Sequence, residues 1–472
     1  MNAAARPDTR PRAGGGRYTD GSWQWSCPTR VVAGPGALEH VLDEELAAGR
    51  RIGLVVDIGV TGTPAVAELR GSPATLHSLA VDPRQAGLAE VDAMAAWLRE
   101  RATSDQLDTV VAIGGGSLLD LVKLGWLVLA DATVPARLSA GRAGVVALPS
   151  QPSAPSSPSS PSAPSAPSAP SAPNGPEAGP KPRRILVPTT IGTGSEISPV
   201  ACVEVRGRHR LALCARMRAE VAVLDPAATG GLPRLMVVEG VLEALLRVLG
   251  PLVGGPAART VGDTAGLALV ADLVRLGDRL AAQSSVPSDR LPSDRLPSDG
   301  AHGRGATDGQ RLLAAELSAY THASWALTGR DPFGGKAWYL ANEVSSVLGV
   351  SKMVATVPVA TGVWARVAAG DSRFGTAERL AMAWGAVRDA STDEVGDDAT
   401  AGLRRLARRW GVPPCPAPTP AVLDVIARRV TNAFGAGLPP LAGITHAEVS
   451  DLLRRSLGEA PGPGPGPVGA AS

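Results

Sequence analysis

The sequence predicts an α/β N-terminal domain built on a parallel sheet, followed by an all-α C-terminal domain, and three observations carry that prediction. Short apolar runs alternate with helix-like segments between Arg51 and Ala130, the pattern of βαβ units. The segment "VVAIGGGSLLDLVK" (Val110 to Lys123) joins a buried-strand pattern to a helix through three consecutive glycines. From Leu235 onward the periodicity is almost entirely helical.

Taken in order, "IGLVVD" reads as a strand, Pro64–Arg70 as a helix and "TLHSLAV" as a strand. Gly87–Arg101 reads as a helix, "DTVVAIGGG" as a strand and Ser117–Ala130 as a helix. Further on, Ile185–Pro188 is an expected strand, Arg206–Arg210 the centre of a hairpin, and "AEVAVLDP" the last strand. Helices are expected over 235–249, 259–282, 309–327, 335–348, 354–368, 376–389, 399–410, 419–434 and 446–457. The α/β domain is therefore set at 21–233 and the helical domain at 234–458. Residues 1–20, 149–182, 284–309 and 459–472 are too polar, or too rich in proline and glycine, to bury, so disorder is expected there. The two internal tracts, the second carrying "PSDRLPSDRLPSD", read as surface-loop insertions, since loop-closure entropy grows slowly with length.

Composition narrows the function classes. A chain of 472 residues with 44% hydrophobic residues and a net charge of +2 is a nearly neutral globular protein. That balance gives no reason to expect nucleic acid or a membrane as partner. No run of 18 uncharged apolar residues occurs, and the N-terminus lacks the apolar region of a signal peptide. Cys27, Cys202, Cys214 and Cys415 are scattered, with no CxxC pair, as suits reduced thiols; a cytoplasmic protein is expected. Among 46 basic residues only Lys123, Lys181, Lys336 and Lys352 are lysines, so each invites the question of what a deprotonatable amine does there.

Ligands of open parallel sheets sit beyond the carboxyl ends of the strands, which is where a Rossmann-type arrangement puts Gly114, Gly115, Gly116 and Ser117. Glycines let backbone N–H groups approach a ligand, and the helix that follows favours an anion at its N-terminus. A second stretch, "VPTTIGTGSEISP" (Val187 to Pro199), crowds small hydroxyl residues and glycines after a strand, a composition suited to wrapping phosphate or ribose.

Together, GGGSxxDxxK and the threonine-rich loop resemble the iron-dependent (group III) alcohol dehydrogenase family of the dehydroquinate-synthase-like superfamily. "PTRVVAGPGALEHV" and "VAVLDPAATGGLP" resemble the family's opening strand and turn and its passage into the helical domain. The resemblance runs from Pro28 to about Leu457 and fades after about residue 370. It implies NAD as cofactor, with Gly114, Gly115, Gly116, Ser117 and Asp120 at the pyrophosphate turn, where Lys123 completes the motif. Thr189, Thr190, Thr193 and Ser195 match the loop that closes on the cofactor. Asp57 matches the acid that accepts the ribose hydroxyls; a carboxylate there repels a 2′-phosphate, so NAD is favoured over NADP. Read alone, Asp57 is also an ordinary strand-end turn residue.

The metal half of the resemblance fails. The family binds iron or zinc through an acid and a His one helical turn later, with two more His downstream. Here Glu243 stands at the acidic position and Arg247 at the first His, with a one-residue shift relative to Gly240; without the shift the positions fall on Leu242 and Leu246. Trp338 and Lys352 fall at the other two ligand positions, and Asn342 at a proton-relay His. None of His40, His77, His209, His302, His322 or His446 falls at a ligand position. Arginine does not coordinate and lysine is normally protonated, so a divalent metal is not expected. If a site were rebuilt, Glu343 and His322 would be the first ligands to test.

In the family the metal is a Lewis acid that favours the alkoxide. Positive charge from Arg247 and Lys352 can serve the same end, and a desolvated Lys352 can act as general base, a role closed to arginine. Alternatively, Arg247–Glu243 is an ordinary i,i+4 pair and Lys352 a surface residue. The resemblance implies an NAD-dependent dehydrogenase acting on an alcohol or carbonyl, with Glu243, Arg247, Asn342 and Lys352 as catalytic candidates. A small-molecule or peptide substrate from specialised biosynthesis and a homodimer are expected. A non-catalytic NAD-binding partner subunit and a sugar-phosphate cyclase remain the alternatives.

Overall fold

The structure is a computed structural model that describes residues 26–71, 75–104, 106–150, 181–255, 260–283 and 305–458. The segments 1–20 and 459–472 and most of 149–182 and 284–309 lie outside the described residues. The chain divides into two units. One comprises Met1–Gly141, Val145–Thr190 and Gly194–Gly231, the other Arg142–Gly144, Ile191–Thr193 and Leu232–Ser472.

The first unit opens with β1 (Arg30–Ala33) and α1 (Ala37–Ala47), then β2 (Ile52–Asp57), α2 (Pro64–Gly71) and β3 (Thr75–Val81). α3 (Leu88–Ser104), β4 (Thr109–Gly114), α4 (Gly116–Ala130) and α5 (Val134–Ser139) follow. β5 (Val145–Ala147), β6 (Arg183–Pro188), β7 (Val200–Glu204), β8 (His209–Leu213) and β9 (Val221–Leu224) complete it. Six strands form one parallel sheet in the order β1-β9-β6-β4-β2-β3. Its central strands are uninterrupted apolar runs because both faces are covered: β4 is buried at every position. Val110 and Ala112 point into the core formed with α3 and α4, whereas Val111 and Ile113 point into the core formed with α1 and α2. The edge strand β3 alternates instead between half-buried and exposed residues.

The expected hairpin exists as antiparallel β7 and β8, turning through Arg206 and Gly207 at φ 54° and 72°. It belongs to a separate three-stranded sheet with β5, an element absent from the sequence reading. Three residues carry too little periodicity to be recognised, and β5 is held by its parallel pairing with β8.

The second unit contains α6 (Arg234–Gly254), α7 (Thr260–Ala282), α8 (Asp308–Ala323), α9 (Lys336–Leu348) and α10 (Lys352–Ala368). It continues with α11 (Ala377–Ala390), α12 (Ala399–Arg409), α13 (Pro420–Phe434) and α14 (His446–Leu457). These agree with the expected helices to within a few residues at most ends. α6 runs five residues past the expected end, through Pro251. The insertion expected to end at 309 gives way earlier, because a capping box between Thr307 and Gln310 starts α8.

Candidate active site

The register of the parallel sheet brings three strand ends to one edge. Val56 lies opposite Ile113, Ile113 opposite Val187, and Gly114 opposite Pro188, so Asp57, the glycine turn and Thr189 leave the sheet side by side. Gly115 stands just before α4 with no side chain capping the helix, leaving the first N–H groups of α4 at the turn. The Gly116 N–H donates to Thr190 Oγ1 at 3.4 Å, and the Thr189 N–H donates to the Gly114 carbonyl at 2.9 Å. A Cβ on Gly115 would meet Thr190 Cγ2 at 3.3 Å; one on Gly114 would meet Leu118 at 2.5 Å and the Asp57 Cβ at 2.9 Å. Crowding requires glycine at Gly114 and leaves Gly115 tight against Thr190; neither has a left-handed backbone. Ser117 is exposed on the first turn of α4. Asp57 Oδ1 accepts from the Gly59 N–H at 2.9 Å, so the strand-end turn role exists alongside any role toward a ribose.

Two residues expected to face the cofactor instead build the cradle. Ser195 is buried and its Oγ donates to Asp120 Oδ1 at 2.5 Å, while Asp120 Oδ2 accepts from the Cys202 N–H at 2.8 Å. The fully buried Lys123 lies 2.9 Å from Asp120 Oδ1 and donates to the carbonyls of Ser195 and Val200 at 2.9 and 2.6 Å. Burial pushes the Lys123 ammonium below the usual lysine range, and Asp120 opposes that shift. This buried pair ties α4 to the end of the threonine loop. Beside this edge a cavity of about 620 Å³ runs between α1 and α2, lined by Leu38, Leu42, Val66, Ile113 and Thr189, a volume suited to a small ligand.

In the second unit the candidate catalytic residues gather around one carboxylate. Glu239, Glu243 and Arg247 repeat every four residues on α6 and so share a face. Leu242 and Leu246, where the unshifted alternative falls, are core residues, whereas Glu243 and Arg247 lie on another face of α6. Glu243 Oε1 lies 3.5 Å from the Arg247 guanidinium and 3.3 Å from Lys352 Nζ. That ammonium stands 4.5 Å over the Trp338 ring, a cation–π contact. Asn342 is half-buried one turn further along α9. Of the two sequence readings of Lys352, a desolvated base or a surface residue, the structure holds the second: its side chain is 43% exposed, because it sits at the first position of α10 beside the Ser351 cap.

The sequence reading missed four contributors. Ser351 Oγ donates to Glu239 Oε1 at 2.7 Å, and Arg247 donates to Thr321 Oγ1 at 3.0 Å and to the Gly192 carbonyl. Glu239 was legible as the residue one turn before Glu243; Thr321 and Gly192 carried no signal. Thr193 follows Gly192 in the part of the loop that belongs to the second unit.

A divalent cation does not fit this cluster. Its central carboxylate oxygen, Glu243 Oε1, is shared between two cations, Glu239 is engaged by Ser351, and the face beneath Lys352 is an indole. The fallback ligands do not repair it. Glu343 is buried and paired with Arg429 Nε at 2.5 Å, and His322 is half-buried beside Thr321. Among the described residues no group of three His, Cys, Asp or Glu side chains is placed to hold a metal ion.

A parallel sheet with a glycine turn at its carboxyl edge, followed by a helical unit, is an arrangement found in known proteins. Residues 28–226 match the family model for iron-containing alcohol dehydrogenase. It is 30% identical over 207 residues to phosphonoacetaldehyde reductase of Streptomyces viridochromogenes, covering 43% of this chain and 45% of that protein. The chain thus spans less than half the length of that curated relative. Among solved structures, an iron-containing alcohol dehydrogenase from Thermococcus thioreducens aligns at TM-score 0.67 and 14% identity, covering 92% of this chain and all of the other. Sulfoacetaldehyde reductase from Bifidobacterium kashiwanohense, solved with NAD+, aligns at TM-score 0.63 and 16% identity over 93% and 100%. These two likenesses establish the fold. No helix among the described residues is long and apolar enough to cross a membrane.

Proposed function

We propose that the protein is an NAD(H)-dependent oxidoreductase that interconverts a carbonyl compound and its alcohol, working without a metal ion. The observation that carries the reading is the edge where Asp57, Gly114–Ser117 and Thr189–Thr190 leave neighbouring strands. Backbone N–H groups and the start of α4 favour the pyrophosphate, and the Asp57 carboxylate disfavours a 2′-phosphate.

A nicotinamide nucleotide held by Asp57, Gly114–Ser117 and Thr189–Thr190 would supply the hydride for carbonyl reduction. The Lys352 ammonium would give a proton to the carbonyl oxygen, and solvent would reprotonate the resulting amine. Glu243 holds the ammonium, and Trp338 supplies an apolar face beneath it. A metal ion there would meet Arg247: at ~4 Å and an effective dielectric of ~20, a unit charge pair costs about 4 kcal/mol, doubled for a dication. The cytoplasm and a substrate from specialised biosynthesis complete the proposal, as does NAD in preference to NADP. Calorimetric titration with both nucleotides tests it. NAD+ is expected to bind at least about tenfold more tightly, as a carboxylate facing a phosphate requires; equal affinities would overturn the assignment of Asp57.

A further inference from the structure

Arg247 stands where the family resemblance puts a metal-binding histidine, and its sequence position marks it for the substrate. Its contacts point elsewhere. The guanidinium is only 12% exposed, and its planar fork is divided among three partners: Thr321 Oγ1 on α8, Glu243 on its own helix, and the Gly192 carbonyl. Gly192 holds φ +107° and lies backbone-to-backbone against α6; a Cβ there would fall 2.6 Å from the Gly240 Cα. Gly240 is equally crowded, with Ile191 O at 2.5 Å from any added Cβ. The loop peptide is therefore seated on α6 through a glycine–glycine contact and pinned by Arg247. All of these groups lie in the second unit. Along the chain, Gly192 is two residues from Thr190, whose hydroxyl accepts from the Gly116 N–H.

We propose that Arg247 is a positioning residue for the cofactor loop: it fixes the Gly192 peptide so that Thr189–Ser195 is ordered before nucleotide arrives, and it does not act on substrate. Lys352, with 43% of its side chain exposed, is left as the cation of this cluster that meets substrate. The inference rests on the reading of that loop as cofactor-binding, and the test separates the two.

The experiment is amide hydrogen exchange over 189–198 in nucleotide-free protein, followed by calorimetric titration with NAD+, for the parent protein, Arg247→Gln, Arg247→Lys and Thr321→Val. Exchange in the loop is expected to quicken in Arg247→Gln, NAD+ affinity to fall about tenfold, and Arg247→Lys to recover part of both, a coupling of ordinary size. Thr321→Val frees one arm of the same guanidinium and should show a smaller change of the same sign, so it carries the test if Arg247→Gln fails to fold. Unchanged loop exchange overturns the inference, whatever happens to NAD+. Faster exchange with unchanged NAD+ affinity keeps the pin but overturns the cofactor role of the loop. Failure of the parent protein to bind NAD+ overturns the functional reading alone.

Discussion

The two units specify their sites by different means. In the first, the critical atoms belong to the backbone: Gly114 to Gly116, the start of α4 and the Thr189 amide. Such a site needs residues that stay out of the way, and a glycine run after a buried strand announces itself in any sequence. In the second unit the site is made of side chains from α6, α8, α9 and α10, separated by up to 112 residues between Glu239 and Ser351. Side-chain chemistry can be exchanged there without disturbing the fold, since the leucines that hold α6 in place are one residue away on the buried face. The lesson is that a fold shared over the whole chain need not carry its chemistry uniformly.

The largest expected effect breaks the backbone-made site. Gly115→Val puts a branched side chain against Thr190 and over the N–H groups of α4, so NAD+ binding should vanish in calorimetry while the fold, read by circular dichroism, persists. Retained binding would move the nucleotide away from this turn. A smaller effect sharpens the side-chain half of the comparison. Lys352→Met keeps length and apolar contact with Trp338 but removes the proton donor, so turnover of an aldehyde panel with NADH should fall ~100-fold, within the range for general acid catalysis. Loss of NADH affinity with normal turnover would show that Lys352 serves the cofactor instead.

Legibility in the sequence followed the same division. The glycine turn, the threonine loop and every long helix of the second unit were readable, because period and small-residue clusters are local signals. Asp120 and Ser195 were read as cofactor contacts because motif position says nothing of direction; the structure turns them toward each other. Glu243, Arg247 and Lys352 were identified as a group, yet the division of labour proposed for them was hidden. It depends on Gly192, 55 residues from Arg247, and on the seating of two glycines at a distance no sequence pattern encodes. β5 and α5 were missed because three and six residues are too few to show a period.

The proposed reading is a dinucleotide cradle in the first unit and, in the second, an ion-paired cluster that works without a metal ion. The most direct measurement is the NADH oxidation rate with an aldehyde panel, using protein stripped with chelator, before and after adding Fe²⁺ or Zn²⁺. The account predicts that stripped protein turns over at its full rate and that neither metal raises it. Activity lost on stripping and restored by Fe²⁺ or Zn²⁺ would contradict it, and would mean that ligands other than Glu243, Arg247 and Lys352 have rebuilt the site.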